Sequence, residues 1–309
     1  MIVANFDNSS FVHELDAVLP LTAGDAGRAQ LLFRTLERFF EPLATCWVVV
    51  PDEQLVTVSR QLPPKRYVAV PESSIVPEIG WFRRTAALRA TLRLVGPPIH
   101  GWYVQQLVKL AIAAHVQTPY YLTLDADVLC VRPTSIAELV PDGHSVVQSA
   151  PPNHPEWNDD AERVLGLRRS AYQYGVTPAV LSRDAVEELI AHVERRVDPR
   201  LEQIGRRVRS RAARDILASW RSFLLRRLPW TEYALYYGFL EATARLDRYH
   251  VLGGEDVVYG NCVWIESQFD DWDPGAGDAP FTVVQSATRI PPAAVARKLA
   301  AAGALANGR

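Results

Sequence analysis

Lysine is nearly missing from this chain: of its 33 basic residues only Lys65, Lys109 and Lys298 are not arginine. Where arginine is the default cation, a lysine marks a position that wants a compact point charge. Cysteine is as sparse. Cys46, Cys130 and Cys262 are odd in number, far apart and without metal-ligand spacing, which argues against a disulfide framework or thiolate metal centre and suits a reducing compartment. No stretch approaches the roughly 18 uncharged apolar residues a membrane helix needs. Met1 to Asp7 has neither a basic n-region nor a long apolar core, so no secretory signal is expected and the expected compartment is the cytoplasm. A formal net charge of −2 over 309 residues gives no global electrostatic argument for a nucleic-acid partner. With 48% hydrophobic and 22% charged residues, the balance is that of a folded globular chain with ample core.

What is present centres on Tyr120-Tyr121-Leu122-Thr123-Leu124-Asp125-Ala126-Asp127-Val128-Leu129. The apolar run reads as a strand buried on both faces, as in the middle of a parallel sheet. It runs into two carboxylates separated by one residue, then turns apolar again. Burying ionised carboxylates costs several kcal/mol unless a cation or donors compensate. The C-terminal edge of a parallel strand is where open α/β sheets bind ligands. A hard divalent cation (Mn2+ or Mg2+) carrying substrate phosphates meets both constraints; the plainer alternative is two acids capping a turn.

Strands and helices alternate around this segment. Leu15–Pro20 reads as a first strand, followed by the loop Thr22–Gly27 and a helix with apolar positions at Leu31, Leu32, Leu36 and Phe39. Thr45–Pro51 and Tyr67–Pro71 read as strands, with Asp52 placed to N-cap a short helix. Val104–His115 is helical, with Gln105 and Lys109 at i and i+4 on one face. A short helix near Ser135–Val140 and a strand near Ser145–Gln148 lead into a loop over Pro151–Asp160, and Tyr172–Leu181 reads as extended. Ser182 caps a helix with Asp184 in its first turn. Arg195–Arg227 reads as an arginine-rich helix ended by Pro229, and Thr231–Leu246 as an aromatic helix. Gly253–Asp256 is a loop, Phe281–Ser286 a late strand, and the last helix runs into an Ala/Gly tail. The pattern predicts an α/β fold with a mixed, mostly parallel sheet flanked by helices. A single domain is expected over 1–309, with a nucleotide-binding half at 15–150, an acceptor-side half at 151–290 carrying a helical insertion at 183–247, and a C-terminal helix and tail at 291–309.

Metal-dependent glycosyl transfer fits these residues best, because a sugar nucleotide leaves as a diphosphate whose charge a divalent cation neutralises. Asp127 is then the direct metal ligand and Asp125 a ligand to metal or ribose. The loop with Thr22 and Asp25 is a candidate rest for base and ribose, and Lys109, with Gln105 beside it, a candidate phosphate contact. Glu232 is the candidate acceptor base, among Trp230, Tyr233, Tyr236 and Tyr237, whose flat faces and polar tips suit sugar rings; the plainer reading is a first-turn acid beside core aromatics. Glu255 and Asp256 are second candidates on the acceptor side. The arginine-rich segment reads as a solvated face, with peripheral contact to an anionic inner membrane surface as its functional alternative.

Taken in order, Pro20 and its loop, Gly101-Trp102-Tyr103-Val104-Gln105-Gln106-Leu107-Val108-Lys109-Leu110, Tyr121–Asp127, Gly175-Val176-Thr177-Pro178-Ala179-Val180-Leu181-Ser182 and Trp230–Tyr236 resemble the glycosyltransferases of the GT-A fold. The nearest resemblance is to a bacterial glycosyltransferase-like family of unknown function with an Asp-x-Asp motif. The resemblance covers Leu15 to Ser286. It implies a nucleotide-sugar donor, a glycan or glycolipid acceptor in cell-surface synthesis, Gly175 and Thr177 beside the donor sugar, and Trp230–Tyr236 on the acceptor side. One departure stands out: many such enzymes add a late histidine as third metal ligand, and nothing after His250 can play that part. A haloacid-dehalogenase-like phosphatase would share Asp125 and Asp127, but there the motif belongs on the first strand and a lysine precedes the final acids, whereas Lys298 follows Asp270-Asp271. A nucleotidyltransferase would want a basic Gly-rich loop after the first strand, where only Arg28 stands. An inert nucleotide-sugar-binding domain would share every donor residue.

Overall fold

The computed structural model describes residues 12–80, 83, 101–150, 153–168, 170–197, 215–216 and 218–305. Its strands are β1 (Leu15–Pro20), β2 (Leu43–Val50), β3 (Tyr67–Pro71), β4 (Tyr120–Thr123), β5 (Val128–Cys130), β6 (Ser145–Ala150), β7 (Gln173–Tyr174), β8 (Ala179–Ser182), β9 (His250–Gly253) and β10 (Phe281–Val283). Its described helices are α1 (Ala26–Phe39), α2 (Leu55–Ser59), α3 (Glu72–Ile75), α4 (Gly101–Ala111), α5 (Ile136–Leu139), α6 (Pro155–Leu165), α7 (Arg183–Glu194), α8 (Trp220–Leu225), α9 (Glu232–Ala242), α10 (Leu246–Tyr249) and α11 (Pro292–Ala301).

The central sheet has the order β3-β2-β1-β4-β8. Its first four strands are parallel and β8 runs antiparallel to β4. Alternation along the strands sends successive side chains to opposite faces. Leu15, Ala17, Leu19 and Leu122 pack with Leu32, Phe33 and Leu36 of α1 on one face. Val18, Tyr121 and Leu181 pack with α4, α7 and α9 on the other. Each large apolar side chain buried this way contributes about 1.5–3 kcal/mol. Both faces are thus covered by helices, as the sequence pattern predicts. Asp16 is buried inside β1 because it gathers strand ends: its carboxylate accepts from Thr45 N at 3.1 Å and Gln117 N at 2.6 Å, and its own N–H donates to Thr118 Oγ1. Two smaller sheets complete the fold, β7-β6-β9 and the antiparallel pair β10-β5. No helix among the described residues is long and apolar enough to cross a membrane.

Several local expectations change. The segment expected as a loop to Asp160 contains the start of α6, because Pro155 occupies the first helical position and Ala161, Val164 and Leu165 bury one face until Gly166 ends it in the left-handed region. Asp52 does not cap α2: it opens a 3-10 turn, Asp52–Gln54, whose N-cap is Pro51, Gln54 stands at the N-cap of α2, and Asp52 Oδ1 instead accepts from Ser73 N. Tyr172–Leu181 is two short strands separated by a turn, and Phe281–Ser286 is a strand only to Val283. Ser182 does cap α7, accepting from Ala185 N. Positions 198–214 of the arginine-rich segment lie outside the described residues.

His250, the last histidine of the chain, is a core residue. Ser182 N–H donates to Tyr236 Oη at 3.0 Å, and Tyr236 O–H lies 2.7 Å from His250 Nε2. His250 Nδ1 lies 2.6 Å from Ser145 Oγ, which donates to Val180 O. One direction of donation satisfies every member if the imidazole is neutral with its proton on Nδ1. Burial pulls the imidazole pKa down to about 3, against about 6.5 when unfolded. Between those values the unfolded chain binds the extra proton. The stability from this site is therefore complete above about pH 6.5 and falls as pH drops towards 3, by up to about 1.4 kcal/mol per unit. Urea unfolding at about pH 7 and about pH 5 should show a loss of about 2 kcal/mol from this site, and His250→Asn should remove that increment while lowering stability at both pH values.

Candidate active site

The C-terminal ends of β1 and β4 open into a cleft of about 330 Å³. Pro20, the last residue of β1, and Asp25 form one side; Asp125, Ala126 and Asp127 follow β4 along the floor. Helix α4 contributes Trp102, Gln105, Gln106 and Lys109, spaced so that one helical face meets the cleft. Val176 and Thr177 enter ahead of β8, Thr231, Glu232 and Tyr233 at the start of α9, and Gln285, Ser286 and Ala287 after β10.

The floor is organised by the Lys109 ammonium. Nζ lies 2.9 Å from Asp125 Oδ1 and 3.1 Å from Glu232 Oε1, and donates to Thr177 Oγ1 at 2.7 Å. It also stands 5.5 Å from the Tyr233 ring centroid. The lysine and Glu232 side chains are each 4% exposed, Asp125 38%. Burial alone would drive the proton off Lys109, but Asp125, Tyr233 and Glu232 outweigh it and hold the ammonium well above the ordinary lysine range. Burial raises the Glu232 carboxyl pKa, Lys109 pulls it back and Asp125 pushes it further up. The helix start fixes Glu232: Thr231 caps α9 through Ala234 N, and Glu232 N–H donates to Gln106 Oε1 at 2.9 Å. Tyr233 O–H sits between Thr123 Oγ1 and Thr177 Oγ1 at 2.7 and 2.6 Å.

Asp127 is held from the far end of the chain. Its Oδ2 accepts from Ser286 N at 2.8 Å, and its carbonyl accepts from Val284 N. Burial and the neighbouring Asp125 raise its pKa, against the pull of Ser286. Counting the lining, Asp25, Asp125, Asp127 and Glu232 face a single cation, Lys109, and no arginine or histidine joins them among the described residues.

The cleft therefore collects Asp25, Gln105, Lys109, Asp125, Asp127, Thr177, Glu232 and Tyr233 of the residues singled out from sequence. Thr22 does not line it; its hydroxyl donates to Asp25 Oδ2 at 2.7 Å and steadies that residue. Gly175 and Glu255 line a small neighbouring pocket of about 90 Å³ with Gln148 and Tyr259. Asp256 sits in a loop at φ 57° outside both. Trp230 and Tyr236, expected on the acceptor side, are core residues: the Trp230 indole donates to Leu224 O and Tyr236 joins the His250 chain. Their apolar bulk is better buried than exposed at a helix that packs against the sheet. Sequence reasoning missed Trp157, Trp264, Gln106 and Gln285–Ala287. Trp102 lay one helical face from Lys109, seven residues away, a usable signal; for Ser286, which acts through its backbone N–H, there was none.

Removing the Lys109 charge leaves Glu232 buried without a cation and Asp125 with its carboxylate unpaired. Lys109→Met is expected to cost about 3–5 kcal/mol in chemical denaturation, the range for breaking a buried pair. Lys109→Met with Glu232→Gln should recover most of that loss, since the buried anion is then gone too.

No curated protein matches the chain. Among solved structures it is similar to galactosyltransferase LgtC in complex with donor and acceptor sugar analogues, at 10% sequence identity, over 96% of this chain and 98% of that one, with a TM-score of 0.46. Residues 12–306 match the family of unknown function DUF6492, and the chain belongs to that family.

Proposed function

We propose that this protein is a metal-dependent glycosyltransferase that moves a sugar from a nucleoside-diphosphate donor to a glycan or glycolipid acceptor. The observation that carries the reading is the floor of the cleft: Asp125 and Asp127 at the end of a central strand, with the only lining cation among the described residues already engaged by Asp125 and Glu232. A diphosphate entering four carboxylates and one tied ammonium needs more positive charge than the described lining supplies. The GT-A resemblance of the ordered sequence motifs supports the same reading.

The residues fit a hard cation. Both donors are carboxylate oxygens, and the raised proton affinity of Asp127 reflects a charge that a cation would relieve. Lys109 and Ser286 each engage one oxygen of a carboxylate, so each group keeps a second. No set of three or more His, Cys, Asp or Glu side chains converges among the described residues, so Asp125 and Asp127 would hold the ion with water and donor phosphates completing its shell. When bound, a divalent cation supplies electrostatic stabilisation of the diphosphate leaving group.

The chain's own residues divide the remaining work. Asp25 and the β1 loop border the donor side, and Gln105 and Thr177 face the donor sugar. In the transfer, the bond between the anomeric carbon and the phosphate oxygen breaks with its electron pair going to the diphosphate. The acceptor oxygen forms the new bond on the opposite face, and its proton passes to Glu232. Burial suits Glu232 to that task, because a carboxylate with raised pKa is a stronger base. The product has inverted anomeric configuration.

Asp127→Ala is expected to abolish manganese-dependent binding of the sugar nucleotide, measured by calorimetry, while circular dichroism stays unchanged. Glu232→Gln should lower turnover by about 10²–10⁴-fold with donor affinity retained. Unchanged turnover, or a product of retained configuration, rules out Glu232 as the base. Donor binding with neither transfer nor hydrolysis in the wild type would instead identify an inert nucleotide-sugar-binding domain.

A further inference from the structure

Three tryptophans from three separate elements converge on the cleft: Trp102 of α4, Trp157 of α6 and Trp264 in the loop between β9 and β10. Trp102 is 48% and Trp264 41% exposed, and Trp157 is half-buried. Single exposed aromatics are ordinary, but three indoles in one acidic cleft are not scattered surface. Trp102 precedes Lys109 by seven residues on α4, about 10.5 Å along the helix axis, so it stands at the mouth while Lys109 stands at the floor. Two of the indoles are braced by neighbouring rings, Trp102 edge-on to Tyr103 at 4.9 Å and Trp157 stacked on His154 at 4.3 Å, and the Trp264 backbone is fixed by its main-chain N–H donating to Gln268 Oε1 at 2.7 Å. Apolar faces are thereby presented to a cleft that also offers the side chains of Gln105, Thr231 and Gln285.

We infer that these tryptophans form the stacking walls of an acceptor subsite for an uncharged pyranose. This inference builds on the glycosyltransferase reading and names the acceptor class. A pyranose has an apolar C–H face and a rim of hydroxyls, matching indole surface interleaved with amide and hydroxyl groups. An acyl chain would leave those polar groups unmatched. Among the described residues, a phosphorylated or carboxylated acceptor would meet four carboxylates and one ammonium that is already paired. Charge therefore selects a neutral sugar over acidic sugars and anionic lipid headgroups.

The test uses the full chain without donor. Wild type, Trp102→Ala and Trp264→Ala, both at exposed positions, are applied to an array of neutral oligosaccharides and to phosphatidylglycerol vesicles. The best glycan is then titrated by tryptophan fluorescence, and manganese-dependent sugar-nucleotide affinity is measured in parallel. Wild type should bind at least one neutral oligosaccharide and shift its indole emission. Each variant should bind it about tenfold more weakly or worse, with sugar-nucleotide affinity unchanged within about twofold. Absence of any glycan binding, preferential binding to the vesicles, or glycan affinity unchanged in both variants overturns the inference. So does a comparable loss of sugar-nucleotide affinity, which would make the indoles a platform for the donor base. The two readings fail separately: tryptophan-dependent glycan binding by a protein that takes no sugar nucleotide leaves the subsite and removes the transferase. Transfer at wild-type rate by both variants leaves the transferase and removes the subsite.

Discussion

A buried ammonium with two carboxylates around it is the constraint on which the site depends. Lys109 can remain charged in the interior only while Asp125 and Glu232 stay beside it. That requirement joins α4, the turn after β4, the approach to β8 through Thr177, and the first turn of α9. Few other arrangements of these four segments would leave no orphaned charge. The same contact decides which oxygen of Asp125 is committed and which way the Glu232 carboxylate faces. Packing on the α4–α9 side of the sheet supports this, because Tyr121, Tyr233 and Tyr237 fill the space beneath the cluster. A flexible lysine stem reaching a fixed point is a better instrument here than an arginine fork, which would need room for a planar group.

Much of the frame was legible in the chain because its signals are local. The apolar run Tyr120–Leu124 has only one comfortable home, between two covered faces, and β4 lies there. Ser182 caps α7 and Thr231 caps α9 through their own side chains, which residue type announces. Lys109 stood out because lysine is rare, and Gln105 followed from helical spacing. The misses share a different character. Trp230 and Tyr236 were assigned to the cleft from their chemistry, but an aromatic residue carries no mark of which side of a helix faces the core; α9 is apolar nearly all round, so periodicity could not choose. The α6 helix was hidden by Pro155 and a polar start that look like a loop until Val164 and Leu165 are seen to bury. Ser286 contributes a main-chain N–H, a group every residue but proline has.

Floor and mouth of the cleft differ in kind. Below, ionised side chains are held by short contacts and by burial, an arrangement that favours a fixed charge distribution already in place when a ligand enters. Above, indoles present surface with little directional demand and tolerate a variety of rings. On the proposed reading, a site built this way would be strict about the group transferred and permissive about the molecule receiving it. That permissiveness has a limit in the carboxylate excess, which acts on anything charged that approaches.

The hydrogen bond from Ser286 to Asp127 spans 159 residues, and it has a consequence for how the chain acquires its site. Contacts of long sequence separation form late, since the intervening loop must be closed before they stabilise anything. During synthesis the first half can assemble β1 to β4 with α1 and α4, yet Asp127 then lacks the backbone donor that steadies it, and Glu232 is not yet opposite Lys109. Both halves of the chain thus contribute to the same cleft floor, the second supplying the donor to Asp127 and the carboxylate opposite Lys109. A chain cut short before Ser286 would keep most of its central sheet and leave its acidic floor without its last support.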